Sequence, residues 1–195
     1  MFDIQTDCEL IPLSPDNRLA GFDCGDDDLN EFFNIDALKY QEQMLGQTYF
    51  FRHKKTGKVV CAFSLSPDSL NTANLPGSRR KKVKENIPRE KPLRSYPSYL
   101  IGRLGVDSAF SGLGAGSQLL DFIKLHCFDR YRFSCRFLLV DAYNNPEVLN
   151  FYLKNEFLTV FSTEEQEREY KKIAAAEPLR TRYYDMINWK NKMSL

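Results

Sequence analysis

The chain has 195 residues, of which 43% are apolar, and a formal net charge of +1. This length is enough for one domain with a full hydrophobic core, and the balanced charge excludes a global field that would attract nucleic acid or a membrane surface. No apolar run reaches the length of a membrane span, and the N-terminal segment lacks the basic-then-apolar pattern of a signal peptide.

Cysteine and histidine are too few and too scattered to indicate a metal site. The five cysteines include no CxxC pair, and the chain has only two histidines. Free thiols in a reducing compartment are the simpler interpretation. We therefore expect no bound metal, no membrane association and a cytoplasmic location.

The first quarter of the chain predicts a strand, a helix and two further strands. Residues 9–13 are predicted as the first strand. A helix over about 26–44 begins with three acidic residues, which suit the positive end of its dipole, and continues with apolar residues at helical spacing. Two strands over 48–52 and 58–66 flank a turn at 55–57. These elements predict that a pair of strands follows the first helix.

Residues 77–94 are predicted as a loop elaboration outside the sheet. The strand pattern ends at Pro67, and residues 79–94 contain eight basic residues against two acidic ones. Such a run is either a solvated loop or a local patch that meets the phosphates of an RNA partner. The basic residues are Arg79, Arg80, Lys81, Lys82, Lys84, Arg89, Lys91 and Arg94.

A glycine-dense turn follows the next strand. The strand is predicted over 99–106, the glycines lie at positions 112, 114 and 116, and the helix that leaves the turn is predicted over 113–131. Glycine lets the backbone approach a bulky anion, and the first turn of a helix presents unpartnered N–H groups at the positive end of its dipole. The turn therefore predicts a phosphate pocket. Its spacing is neither that of a Walker loop nor that of a dinucleotide-binding fingerprint.

The rest of the chain alternates strands and helices. Residues 136–142 form a near-continuous apolar run, which is typical of a strand covered on both faces. Asn145 and Pro146 predict the cap and first residue of a helix that carries Tyr152. The remaining predicted elements are a strand over 157–161, an extra helix within 163–176 and a final strand over 181–188. This order predicts an α/β fold in which helices cover both faces of a mixed sheet.

Two of these motifs resemble the GNAT N-acetyltransferase superfamily. In that family an Arg/Gln-x-x-Gly-x-Gly/Ala turn follows a Val-Asp-like strand end; here residues 111–116 (SGLGAG) follow Val106-Asp107, with Ser111 where Arg or Gln is usual. Residues 151–157 (FYLKNEF) resemble the Phe-Tyr-x-Lys-x-Gly-Phe segment, with Glu156 in place of Gly. The resemblance implies the acyl-CoA N-acyltransferase fold, with a central mixed sheet of about seven strands flanked by helices on both faces.

More of the chain resembles one branch of this family, the acetyltransferase toxins of bacterial toxin–antitoxin pairs. The segments that carry this resemblance are 22–25 (FDCG), 102–107 (GRLGVD) and 139–142 (LVDA). It covers roughly residues 8–161 and implies a single domain over 1–195, with a basic elaboration at 77–94 and a charged one at 163–180.

The same resemblance implies substrates and partners. Those toxins transfer acetyl to the α-amine of aminoacyl-tRNA, so the implied cosubstrate is acetyl-CoA. The implied partners are charged tRNA, bound by the basic segment 79–94, an antitoxin and a second copy of the chain. Two alternatives stay open: an enzyme that acetylates small amines or protein lysines, and a non-catalytic module that binds acyl-CoA or a partner protein on the same fold.

The resemblance also assigns roles to individual residues. Backbone N–H groups of the glycine turn would hold the pyrophosphate of acetyl-CoA, and those of Leu104 and Val106 would contact the pantetheine and the thioester carbonyl. Tyr152 would donate a proton to the departing sulfur as general acid; the alternative is a tyrosine that only packs in the core. The residues expected to contact the cosubstrate are Leu104, Gly105, Val106, Ser111, Gly112, Leu113, Gly114, Ala115, Gly116, Ser117 and Asn145.

A general base is not evident from the sequence. Asp141, Tyr143 and Glu9 qualify by residue type alone, and a structural role is the simpler interpretation of each. An aminoacyl α-amine is less basic than a lysine, so it loses its proton to water more readily.

Overall fold

The computed structural model describes residues 2–73, 75–88, 93–129, 135–172 and 178–193. The strands in this part of the chain are β1 Cys8–Pro12, β2 Gln47–His53, β3 Val59–Asn71, β4 Ser95–Val106, β5 Phe137–Tyr143, β6 Leu158–Thr159 and β7 Leu179–Asp185. The helices are α1 Ile4–Asp7, α2 Asp27–Glu31, α3 Ala37–Glu42, α4 Gly77–Val83, α5 Ala115–Asp129, α6 Pro146–Lys154, α7 Glu164–Lys171 and α8 Met186–Met193.

The seven strands form one sheet in the order β1-β2-β3-β4-β5-β7-β6. The pairs β1–β2, β2–β3, β5–β7 and β6–β7 are antiparallel. Helices flank this sheet, which confirms the predicted α/β class and the number of strands. No helix among the described residues is long and apolar enough to cross a membrane.

The chain divides into two compact units, each with its own apolar cluster. The first unit comprises Met1–Ser66 and Ile101–His126, and the second comprises Pro67–Leu100 and Cys127–Leu195. The cluster of the first unit consists of Ile11, Leu13, Leu19, Phe22, Phe32, Phe33, Ala37, Phe50, Val59 and Ala62. That of the second consists of Leu70, Leu75, Val83, Tyr96, Phe137, Leu139, Val160, Phe161 and Tyr183. The single domain over 1–195 stays a prediction.

The first predicted helix forms in three pieces. The carboxylate of Asp26 accepts a hydrogen bond from the backbone N–H of Leu29 at 2.9 Å and so caps α2. A π-helical turn, Phe32–Asp36, joins α2 to α3. The side chains of Phe32 and Phe33 are both buried in this turn. The helix predicted over 26–44 is therefore confirmed, with an irregularity that its spacing did not show.

The prediction that 77–94 is a loop is wrong for its first half. Residues 77–83 form α4, and the buried Val83 fixes this helix on the cluster of the second unit. The guanidinium of Arg79 donates to the carbonyls of Val160 and Thr159. Residues 89–92 lie outside the described part of the chain. The helix forms because these distant contacts outweigh the local clustering of charge.

The predicted ends of two strands are also wrong. β3 continues through Pro67 to Asn71, where Leu70 is buried, although the pattern appeared to end at Pro67. β7 ends at Asp185 instead of residue 188, because the carboxylate of Asp185 accepts from the N–H of Ile187 at 3.2 Å and α8 begins there. β6 is only two residues long, and the extra helix predicted within 163–176 is present as α7.

Candidate active site

The glycine turn lies between β4 and α5, as predicted. Asp107 accepts from the N–H of Ala109 at 3.0 Å and starts a short 3-10 turn after the strand. Gly112 and Gly114 then adopt φ angles of 75° and 79°, in the left-handed region that favours glycine. A methyl group on Gly112 would meet no other atom within 4 Å. The turn is thus exposed and shaped by backbone conformation, and its outer face is open to a ligand.

A second segment, residues 22–25, holds this turn in place. The other carboxylate oxygen of Asp107 accepts from the N–H of Asp23 at 3.2 Å. The N–H and hydroxyl of Ser108 donate to the carbonyl of Asp23 at 2.9 and 3.0 Å. The carboxylate of Asp23 in turn accepts from Gly25 N–H and from Asn30, and these hydrogen bonds lower its pKa. The sequence reasoning missed this link, although the resemblance had singled out 22–25.

Gly105 is required by close packing. A Cβ at this position would lie 3.0 Å from the ring of Phe22, 3.3 Å from that of Phe33 and 3.4 Å from the Cβ of Cys24. The flanking residues Leu104 and Val106 are half-buried. A larger residue at 105 would therefore push β4 away from the segment that orients the glycine turn.

Helix α5 is anchored along its buried side. Leu119, Leu120, Ile123 and Cys127 are all buried. In the first turns of the helix, the side-chain carbonyl of Gln118 accepts from the N–H of Ile4 at 2.8 Å. This contact ties the N-terminal segment to the start of α5, and no local pattern in the sequence pointed to it.

Tyr152 is a buried residue of α6. Asn145 caps this helix by accepting from the N–H of Val148 at 2.9 Å, and Pro146 is its first residue. The ring of Tyr152 is 6% exposed and contacts the ring of Phe157, with centroids 5.6 Å apart. Burial raises the pKa of the Tyr152 phenol, and the positive charge of Arg182 opposes that rise.

The turn at the end of α6 forms although Glu156 stands where the family pattern has glycine. Glu156 adopts a φ of 69°, which is the left-handed conformation that glycine supplies in the family pattern. Its carboxylate pairs with the ammonium of Lys192 on α8 at 2.6 Å. The turn after the helix is therefore made by a strained residue that a contact from another helix supports.

The candidates for a general base remain weak. The carboxylate of Asp141 accepts from the hydroxyl of Thr181 at 2.6 Å, which is a structural contact between β5 and β7. Glu9 is exposed on β1. No cluster of His, Cys, Asp and Glu within the described ranges could hold a metal ion. The residues predicted at 104–117 belong to the first unit, and Asn145 and Tyr152 belong to the second. Their roles stay predictions.

The sequence matches the acetyltransferase (GNAT) family over residues 16–157. This match spans most of the chain and agrees with the strand–turn–helix geometry and the fold. The protein belongs to the GNAT family and is an N-acetyltransferase.

Solved structures with the same fold include toxins of toxin–antitoxin systems. A tyrosine-to-phenylalanine mutant of KacT is 19% identical with a TM-score of 0.69, covering 95% of this chain and 99% of KacT. AtaT complexed with acetyl-methionyl-tRNAfMet is 18% identical with a TM-score of 0.68, and the match covers 96% of this chain and 99% of AtaT. A mutant AtaT bound to the C-terminus of the antitoxin AtaR and acetyl-CoA is 16% identical with a TM-score of 0.64, and the match covers 97% of this chain and 99% of the AtaT mutant.

Proposed function

We propose that this protein transfers acetyl from acetyl-CoA to the α-amine of an aminoacyl-tRNA. The observation that carries the tRNA part is a cavity in the second unit, of about 650 Å³, which is lined by three lysines of the basic segment. Its lining consists of Ser78, Lys81, Lys82, Lys84, Glu85, Ile87, Pro88 and Tyr96. The solved complexes of AtaT with an acetylated methionyl-tRNA and with acetyl-CoA support the same ligands.

The basic residues of this segment divide into two groups. The two arginines of α4 are engaged in the fold, because Arg79 donates to the carbonyls of Thr159 and Val160, and Arg80 donates to the carbonyls of Ala73 and Leu75 at 2.7 and 3.0 Å. Lys81 and Lys82 are exposed, and neither has a hydrogen bond or ion pair within the described residues. We assign the contacts with tRNA phosphates to these two lysines.

The chemistry uses the residues of the glycine turn, β4 and α6. The N–H groups of the turn hold the pyrophosphate of acetyl-CoA, and those of Leu104 and Val106 polarise the thioester carbonyl. The amine nitrogen attacks the carbonyl carbon, so that a C–N bond forms and the C–S bond breaks. Tyr152 gives its proton to the departing sulfur, and the amine gives one of its protons to water. Tyr152 then regains a proton from water.

The test replaces both free lysines with glutamate and compares two acceptors. We expect Lys81→Glu/Lys82→Glu to raise KM for charged tRNA about tenfold or more. The slope of log affinity for tRNA against log salt concentration should become shallower by about 1 for each lost phosphate contact. The kcat/KM for a small amino-acid ester should stay within twofold. Lys55→Glu/Lys58→Glu, which reverses two exposed lysines at the β2–β3 turn, is the matched control. An unchanged KM for tRNA in the Lys81/Lys82 variant would reject the tRNA site.

Two further partners belong to the same proposal. The structure of AtaT with the C-terminus of its antitoxin supports a protein antitoxin as a partner of this chain. Charged tRNA is a cytoplasmic molecule, so we place the activity in the cytoplasm. A homodimer stays a prediction.

Release of CoA by small amines or protein lysines but not by charged tRNA would favour the alternative acceptors.

A further inference from the structure

Arg182 of β7 is a buried cation that has no anionic partner in the described part of the chain. Its side chain is 6% exposed, and its Nη1 donates to the carbonyl of Phe157 at 3.4 Å. Its Nε is buried and has no hydrogen-bond partner among the described residues. Arg180, two residues earlier on the same strand, is by contrast paired with Glu167 at 2.8 Å.

Burial of this guanidinium without a carboxylate partner among the residues described lowers the stability of the fold. A buried charge normally has a carboxylate and a full set of hydrogen bonds, because desolvation is otherwise uncompensated. Burial lowers the pKa of Arg182, but a guanidinium stays protonated at neutral pH. A buried strand residue with only a packing role could be apolar, so the retained charge indicates a functional role for Arg182.

Phe157 connects Arg182 to Tyr152. Its carbonyl accepts from Arg182, its N–H donates to the carbonyl of Tyr152 at 2.9 Å, and its ring contacts the Tyr152 ring. The charge of Arg182 also acts on the phenol, since it lowers the Tyr152 pKa against the effect of burial. The other charges that act on this guanidinium are those of Arg180 and Glu167. Phe157 thus contacts both residues, and the two buried side chains belong to the same unit.

We propose that Arg182 is a positioning residue that stabilises the tyrosinate of Tyr152 during acetyl transfer. When the O–H bond of Tyr152 breaks and the proton binds the CoA sulfur, the phenol becomes a buried anion. The positive charge of the guanidinium then stabilises this buried anion. Because Tyr152 is the general acid of the proposed function, this role rests on that function.

The test is a double-mutant cycle on acetyl transfer. We expect Arg182→Met to lower kcat about tenfold or more, since a nearby opposite charge shifts an acid by one or more pKa units. The KM for acetyl-CoA should change less than threefold. Arg182→Lys keeps the charge and should restore most of kcat. In a Tyr152→Phe background, Arg182→Met should have less than a twofold further effect.

Controls separate this role from a structural one and from failure of the proposed function. Lys154→Met removes an exposed positive charge from α6 and should leave kcat within twofold. Equal losses of kcat for Arg182→Met in both backgrounds would show that Arg182 only supports the fold. If Arg182→Met does not fold, Arg182→Lys is used in its place. A loss of kcat in Arg182→Lys that is equally large in the Tyr152→Phe background would overturn the inference. Tyr152→Phe with unchanged turnover would instead reject the proposed chemistry itself.

Discussion

At the scale of single residues, the proposed chemistry uses one buried phenol and one exposed backbone turn, which belong to different units. Tyr152 is surrounded by aromatic rings and lies under the influence of Arg182, so its proton is held in a region of low polarity. The turn offers backbone N–H groups and no charged side chain between residues 108 and 118. Proton transfer and phosphate binding are therefore assigned to different kinds of group.

Replacement of Tyr152 tests the proton transfer. We expect Tyr152→Phe to lower kcat by about 10²-fold or more, because a positioned general acid contributes at least this much, while the Kd of acetyl-CoA stays within threefold. Steady-state CoA release and titration calorimetry measure the two quantities. Tyr170→Phe removes the hydroxyl of a half-buried tyrosine on α7 and serves as the control. Full activity in the Tyr152 variant would assign this residue to packing alone.

Replacement of Gly112 tests the phosphate pocket. Gly112 and Gly57 have φ angles of 75° and 71°, and an added methyl group at either would meet nothing within 4 Å. Gly112→Ala and Gly57→Ala should therefore cost a similar free energy of unfolding, about 1 kcal/mol each. Only Gly112→Ala places its methyl group where we propose that the pyrophosphate binds, so only this variant should raise the Kd of acetyl-CoA, by about tenfold. Equal affinities in the two variants would contradict the pocket.

At the scale of elements, the link between α7 and β7 depends on one buried carboxylate. Glu167 is 1% exposed and accepts from the N–H of Thr181 and the guanidinium of Arg180, each at 2.8 Å, and from Lys171 at 3.1 Å. Burial alone would raise the pKa of Glu167, but these three donors together lower it below its usual value. The link thus contributes to stability as long as the carboxylate is charged.

This arrangement predicts the pH dependence of stability. Since the folded pKa lies below the unfolded value, the contribution is complete above about pH 5 and is lost as the pH falls through the folded pKa. Glu167→Gln should lower the free energy of unfolding by about 3 kcal/mol at pH 7, because it leaves Arg180 without its closest partner. Its stability should then decline less than that of the wild type between pH 5 and 3 in urea titrations. Parallel curves for the two proteins would contradict the assignment.

Elements that form because of neighbouring residues in the sequence were predictable. Elements that depend on contacts with residues far away in the sequence were not. The cap at Asn145, the glycine turn and the buried strand near 137 follow from neighbouring residues. Helix α4 depends on contacts between Arg79 and residues 80 positions away, and the start of α8 depends on the Asp185 side chain. The sequence does not show which distant strands and helices become neighbours.

The same distinction applies to the candidate site. The turn and Tyr152 were found because both lie in contiguous motifs. The support of the turn by Asp23 spans 84 positions, and the position of Arg182 beside α6 depends on the order of strands in the sheet. An arginine in a strand is unremarkable in a sequence; only the burial of its charge singles it out.

At the scale of the whole molecule, the charge is balanced but unevenly distributed. The net charge is +1, whereas residues 79–94 hold eight basic residues and two acidic ones. The tRNA contact that we propose uses only this local patch, so the affinity for tRNA should depend on few phosphate contacts and fall only moderately with salt. Membership of the GNAT family gives the reaction, and this patch is the feature that favours charged tRNA over a small amine.

The acceptor of the acetyl group in the proposed function is an aminoacyl-tRNA. The most direct measurement is mass spectrometry of the aminoacyl-adenosine released by nuclease from charged tRNA after incubation with the protein and acetyl-CoA, with a free aminoacyl ester as the competing acceptor. We predict an added acetyl group on the α-amine of the tRNA-derived fragment, formed at a kcat/KM at least about 10²-fold above that of the ester, since only tRNA offers phosphates to the lysines. Acetylation of the ester at an equal or higher kcat/KM would contradict the claim.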